Sequence, residues 1–179
     1  MVTSAVRLFT ENGYESTTLV QIAAEAEVST RTLQLYFPSK LDLALAYSAD
    51  ASERLQLACA SREPGQTVLD VLRSWLADEV TEHGDEVARH AAMLIANPTL
   101  RGSETPAITA ARQAVTAEFA SDLGTSVDEP AVVLAVGALI GLISATLDIG
   151  SSDLATAANL TAAYAEAIIS QATAASRHR

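Results

Sequence analysis

TTLVQIAAEAEVSTRTLQLYFPSK, residues 17–40, is the stretch that decides the reading of this chain. Thr18 stands three residues before Gln21, the T-x-x-Q spacing of a helix-capping box. A helix from Leu19 to Glu25 follows, with Ile22 and Ala23 on its buried side. Ala26-Glu27-Val28 forms a short turn. Ser29 then caps a further helix that exposes Thr30, Arg31 and Gln34 and buries Leu33. Ser39, three residues before Asp42, caps the next helix. Upstream, Val6, Leu8 and Phe9 give residues 1–12 an apolar side, and Gly13 supplies a left-handed residue to end that helix. Two short helices joined by a tight turn, after a supporting helix, are a helix-turn-helix arrangement.

Composition frames this motif. The chain has 179 residues, 49% of them hydrophobic and 4% aromatic, with a mean hydropathy of +0.22. Alanine supplies 35 positions, about a fifth. Few aromatic residues and much alanine argue for helix over sheet. Five of the eight aromatic residues lie in residues 1–47 (Phe9, Tyr14, Tyr36, Phe37, Tyr47), which marks that segment as a separate small core. Gly and Pro divide the rest, and helices are expected over 39–61, 66–82, 85–96, 105–123, 130–148 and 152–175. Ile108, Ala111, Val115 and Phe119 keep to one helical face, as do Val68, Leu72, Trp75, Leu76 and Val80.

The net charge of −11 excludes a polybasic nucleic-acid binder but permits a small local surface. A single cysteine, Cys59, forms no internal disulfide, and the first residues lack the pattern of a signal peptide, so a cytoplasmic location is expected. Ala131 to Leu147 carries no charge, but its 17 residues fall short of the roughly 20 of a span and its flanks are acidic. A buried helix, with no membrane partner, is the expectation there.

Ala5-Val6-Arg7-Leu8-Phe9, Asn12-Gly13-Tyr14-Glu15-Ser16-Thr17-Thr18, Ile22-Ala23, Val28-Ser29, Thr32-Leu33 and Tyr36-Phe37-Pro38-Ser39-Lys40-Leu41-Asp42-Leu43 together resemble the TetR family of transcriptional regulators. The resemblance covers about 45 residues, in order and without gaps. It implies an all-α protein: an N-terminal three-helix helix-turn-helix domain over 1–45 and a C-terminal helical ligand-binding and dimerisation domain over 46–179. It also implies base contacts by Thr30, Arg31 and Gln34, and contacts to the phosphate backbone by Thr18, Thr32, Tyr36 and Lys40, the only lysine in the chain. Arg at such a position pairs with guanine edges and Gln with adenine edges.

The chain departs from the family's pattern in places. Glu27 stands where members usually have glycine, so either a left-handed glutamate or a different turn is required. Gln34 replaces the usual aromatic residue. Members usually carry a short basic segment ahead of the first helix, and such residues would raise DNA affinity. Residues 1–47 hold three cations against five carboxylates, a net charge of −2. Little phosphate neutralisation means weak non-specific binding and reliance on dimerisation.

A dimer interface is expected on two helices. Gly137, Gly141 and Ala145 recur every four residues, beside Leu134, Ala138 and Leu142; Leu154, Ala158, Thr161, Ala165 and Ile168 form a second stripe. Together they suit a four-helix bundle between two subunits. Packing of these faces within one subunit is the alternative. A ligand cavity is expected among Trp75, Glu79, His90, Met93, Leu94, Arg112, Phe119 and Thr146, with ordinary core or surface ion pairs as the alternative. His83, Glu86 and His90 share a helical face, but a helix boundary is expected after His83, so no metal is assigned, nor any cofactor. No catalytic motif is present and no enzyme activity is expected. The reading is a homodimeric one-component regulator, a repressor, which binds a palindromic operator in double-stranded DNA and is released by a small, largely apolar effector. The alternative is a small-molecule-binding or interaction protein of the same fold with weakened DNA binding. The helix over 39–61, shared by both domains, is the expected lever.

Overall fold

The computed structural model describes residues 1–148 and 154–177. Nine α-helices account for most of them, and no strand occurs among the described residues. They are α1 (Val2–Asn12), α2 (Leu19–Glu25), α3 (Thr30–Tyr36), α4 (Lys40–Ala44), α5 (Ala46–Ala60), α6 (Val68–Ala96), α7 (Pro106–Leu123), α8 (Pro130–Asp148) and α9 (Leu154–Arg177), with a 3-10 turn at Pro98–Leu100. None of the described helices is long and apolar enough to cross a membrane.

Two expected boundaries move. The helix over 39–61 is interrupted: Leu45, at φ −97° and ψ 13°, separates α4 from α5. The expected helices over 66–82 and 85–96 are one helix of 29 residues, α6. Gly84 lies inside it, since a single glycine weakens a helix by only about 1 kcal/mol, and burial on both sides outweighs that. At about 1.5 Å per residue, α6 is roughly 43 Å long.

The apolar residues gather into two cores. In the body, α5, α6, α7, α8 and α9 bury Leu55, Cys59, Val68, Leu72, Val115, Phe119, Val132 and Leu139 against one another. In the head, α1 to α4 bury Ala5, Phe9, Ile22, Leu33 and Leu43. The head core is not built from the head alone. Met93 from α6 and Leu100 from the 3-10 turn complete it, with Leu94 at its edge. Met93 and Leu94 were expected to line a ligand cavity; they pack on α1 instead, because α6 continues past Gly84 and carries them there.

Asn97 fixes that junction. It is buried at the end of α6. Its Oδ1 accepts a hydrogen bond from the Tyr14 N–H at 2.6 Å. Its Nδ2 donates to the Phe9 carbonyl at 2.9 Å and to the Met93 carbonyl at 2.9 Å. One amide therefore ties the C-terminal end of α1 to the C-terminal end of α6. Gly13, between the two bonded residues of the head, adopts φ +84° and ψ 147°, a region that glycine alone occupies readily. Its φ is positive as expected, but it lies outside the left-handed helical region.

Removal of this amide leaves the Tyr14 N–H without its acceptor, and an orphaned donor of this kind costs about 1–3 kcal/mol. Asn97→Ala is expected to lower stability by about 2 kcal/mol in urea denaturation. An unchanged midpoint would show that the junction does not hold the head.

Candidate nucleic-acid interface

The head presents α2 and α3 on local bonds that the sequence encodes. Thr18 Oγ1 accepts from the Gln21 N–H at 3.2 Å, and Gln21 Oε1 accepts from the Thr18 N–H at 2.8 Å, a closed capping box. Ser29 Oγ accepts from the Thr32 N–H at 3.0 Å, and the Ser29 and Thr32 hydroxyls are hydrogen-bonded at 2.7 Å. Ser39 and Asp42 close a second box at the start of α4. The turn between α2 and α3 keeps its tight geometry through Glu27, which takes φ +54°. The left-handed alternative is therefore the one adopted, and the Val28 N–H still reaches the Ala23 carbonyl at 2.9 Å.

On α3, Leu33 is fully buried and Thr30 and Thr32 are half-buried. Arg31, Gln34, Leu35 and Tyr36 are exposed. At about 100° per residue, Arg31 and Leu35 each lie roughly 160° from Leu33, so they form the crest opposite the core. Gln34 lies on one flank. Tyr36, 65% exposed, lies on the other and contributes no core. Leu35 was not among the expected contacts. Its signal was present in the i, i+4 spacing from Arg31, but a leucine reads as core until its exposure is known.

The head cations are differently engaged. Arg7 pairs with Glu11 at 2.7 Å and with Glu25. Lys40 Nζ donates to the carbonyls of Tyr14 at 2.9 Å, Thr17 at 3.2 Å and Glu15 at 3.4 Å, and lies 4.2 Å from the centre of the Tyr14 ring. Its donors thus hold the α1–α2 loop, and only its residual charge is open to a phosphate. Arg31 makes no ion pair or hydrogen bond among the described residues, so its guanidinium is available.

The eight residues expected to line one cavity do not converge. Trp75 is half-buried and donates its indole N–H to the Ala51 carbonyl at 3.2 Å. Glu79 is buried and accepts from Arg54 Nε at 2.7 Å, from Arg54 Nη2 at 2.8 Å, and from the Tyr47 hydroxyl. Burial alone would raise the Glu79 carboxyl, but the Arg54 and Tyr47 hydrogen bonds overcome it and hold it below the usual range. Burial, reinforced by Glu79, pushes the Tyr47 phenol up. Arg112 is exposed and pairs with Glu104 at 3.0 Å; Phe119 is body core; Thr146 shares a hydroxyl hydrogen bond with Thr161.

A cavity of about 250 Å³ lies between α5 and α6. Trp75 and Glu79 line it, but so do Arg54, Asp70, Ser74, Asp78 and Glu82. The four-residue recurrence of Asp70, Ser74, Asp78 and Glu82 was the legible sign of one polar helix face. An apolar cavity among α6, α8 and α9 has only about 30 Å³.

His90 lies outside both cavities. It is 1% exposed, Nε2 is 2.7 Å from the Ser48 hydroxyl, and Nδ1 has no partner among the described residues. His83 Nδ1 is 3.2 Å from Glu86, so the face that sequence spacing gave to His83, Glu86 and His90 carries one exposed pair and one buried ring.

On α8, Leu134 is 73% exposed, and Gly137, Ala138, Gly141 and Ala145 are exposed with it; Leu142 is half-buried. The stripe expected on α9 turns inward: Ala158, Thr161 and Ala165 are buried, and Ile168 is half-buried against the body core. Small side chains let α9 lie close to its own neighbours. Leu154 opens α9, and its side chain lies outside the described residues. The exposed large apolar residues of α9, among the described residues, are Leu160 and Tyr164.

Two outcomes follow from these environments. Burial lowers the His90 pKa from 6.5 to about 4, so the fold favours the neutral ring. Its contribution is complete above pH 6.5 and is lost as pH falls from 6.5 toward 4, by roughly 3 kcal/mol. His90→Gln should flatten a plot of urea midpoint against pH in that window. A left-handed non-glycine residue costs about 1–2 kcal/mol. Glu27→Gly should therefore stabilise the chain by about 1 kcal/mol, read by the same denaturation.

Comparison with known proteins agrees with this geometry. The family model "Bacterial regulatory proteins, tetR family" matches residues 2–47. The chain is 46% identical over 43 residues to the HTH-type transcriptional regulator HbdR of Aromatoleum sp. (strain CIB); this match covers 24% of the chain and 19% of that protein's length. In fold it is similar to the TetR family transcriptional regulator PfmR of Thermus thermophilus, with a TM-score of 0.60 and 20% identity over 94% of this chain and 96% of that one. It is also similar to a TetR-like transcriptional regulator of Rhodococcus sp. RHA1, with a TM-score of 0.56 and 25% identity over 92% and 90% of the two chains. Residues 2–47, the helix-turn-helix head, thus match the tetR family of bacterial regulatory proteins in sequence, and the whole chain is similar in fold to solved regulators of that family.

Proposed function

We propose that this chain is a one-component transcriptional regulator, a repressor, that binds a palindromic operator as a homodimer. The observation that carries the reading is the crest of α3: Arg31, exposed and unengaged among the described residues, stands opposite the buried Leu33. Helices of this size fit the major groove, and an arginine there pairs with guanine O6 and N7. Thr18, Thr30, Thr32, Gln34, Tyr36 and the residual charge of Lys40 are the proposed supporting contacts. Residues 1–45 are the proposed DNA-binding domain and 46–179 the proposed effector and dimerisation domain, although Met93 and Leu100 help to build the head core.

The second copy is proposed to dock on the α8 face around Leu134, Gly137, Ala138, Gly141 and Ala145, with Leu160 and Tyr164 beside it. The exposure of this apolar surface within the subunit supports it as an interface. A two-fold pair of heads then demands a palindrome with half-sites about 34 Å apart or a multiple of that.

The effector is proposed to enter between α5 and α6. The carboxylates around that cavity favour a ligand with a cationic group beside its apolar body, in place of the largely apolar ligand expected from sequence. Binding there acts on the same helix that ends at Asn97. An effector that prefers one arrangement of α6 shifts the population of heads spaced for DNA.

The acidic head supports a second reading, a ligand-binding protein of this fold with weakened DNA binding. Footprinting of the full chain on the DNA upstream of its own gene, across a salt series, separates the two. The first reading expects a protected palindrome that disappears with Arg31→Ala and with the dimer-face change Leu134→Arg. Dimers that protect no DNA, even from a random-sequence pool, would give the second.

A further inference from the structure

We propose that Leu35 reads the 5-methyl group of a thymine in each operator half-site, an inference that rests on the DNA-binding reading above. Leu35 is 80% exposed, the largest exposure of any bulky apolar side chain among the described residues. Exposure at this level on a seven-residue helix does nothing for the fold, whose anchor on α3 is Leu33. Leu35 also occupies a particular place. It is one helical turn beyond Arg31, on the crest opposite the core, so any surface that meets the Arg31 guanidinium meets the leucine too.

The chemistry of the partner follows from what leucine lacks. It has no donor and no acceptor, so it cannot read guanine, adenine or cytosine by hydrogen bonding. In the major groove the apolar group offered by the base pairs is the thymine methyl. Four residues of helix advance about 6 Å, close to two base-pair steps at about 3.4 Å each. The thymine therefore lies within about two base pairs of the guanine that Arg31 contacts. The electrostatics of the head make this contact count. With Arg7 paired and Lys40 held on the loop, few charges draw the head to phosphate, and a desolvated methyl contact adds affinity without charge.

The test uses duplexes selected by the full chain from a random-sequence pool. Each thymine of a half-site is replaced in turn by uracil, which removes the methyl and leaves every hydrogen-bonding group. Wild-type protein is expected to lose about three- to tenfold in affinity at one symmetric thymine position, near the guanine whose replacement is felt through Arg31. Leu35→Ala is expected to bind the thymine duplex as weakly as wild type binds the uracil duplex, and to distinguish the two by less than about twofold. Its thermal midpoint should match wild type, since the side chain is exposed. Selection of DNA with no uracil effect at any position would overturn the Leu35 assignment alone, as would an equal thymine preference in Leu35→Ala. Failure to select any DNA would overturn the DNA-binding reading and this inference with it.

Discussion

The Asn97 side chain is the constraint on which the arrangement of the molecule depends. Without it, the head is a small cluster of four short helices joined to the body by the segment around Leu45. With it, the carbonyl of Phe9 and the N–H of Tyr14 are held against the end of α6. Met93 and Leu100 can then complete the head core. A four-helix head of fewer than about 50 residues has little apolar surface of its own to bury. The body supplies the missing part, so head stability and body geometry are not independent quantities.

The net charge works against the head, and only its local charges work for it. The chain carries −11 overall, and the head itself is acidic. At physiological salt the resulting repulsion from DNA is largely screened beyond about 8 Å and is felt on close approach. Arg7 is neutralised by two glutamates, and Lys40 is engaged by three carbonyls. What remains at the proposed reading surface is the Arg31 guanidinium, hydroxyls and a leucine. Such a surface gains more from fit than from charge.

Much of the fold was legible because its signals are local. Thr18 with Gln21, Ser29, and Ser39 with Asp42 announce their helices through three-residue spacings, and each bond is present. Glu27 announced either a left-handed residue or a different turn, and the left-handed residue is present. The misread parts depend on partners distant in sequence. Gly84 resembles a helix end until burial on both sides is known. Met93 and Leu94 resemble cavity lining until α1 is found beneath them. Ala158, Thr161 and Ala165 resemble an outer stripe until α8 and the body core are found against them. Leu35 is passed over although it stands one turn from Arg31, because an apolar side chain is not placed on an outward face until its exposure is known.

The break at Leu45 has a mechanical meaning when set beside the amide at Asn97. A head continuous with a single long helix would be carried stiffly by it. This head is instead held by the chain joint at Leu45, by the amide of Asn97 and by Met93 and Leu100, which the body lends to its core. The last turn of α6 is thus a structural part of the head. A displacement of that turn carries α1 with it, because the two share one core and one amide.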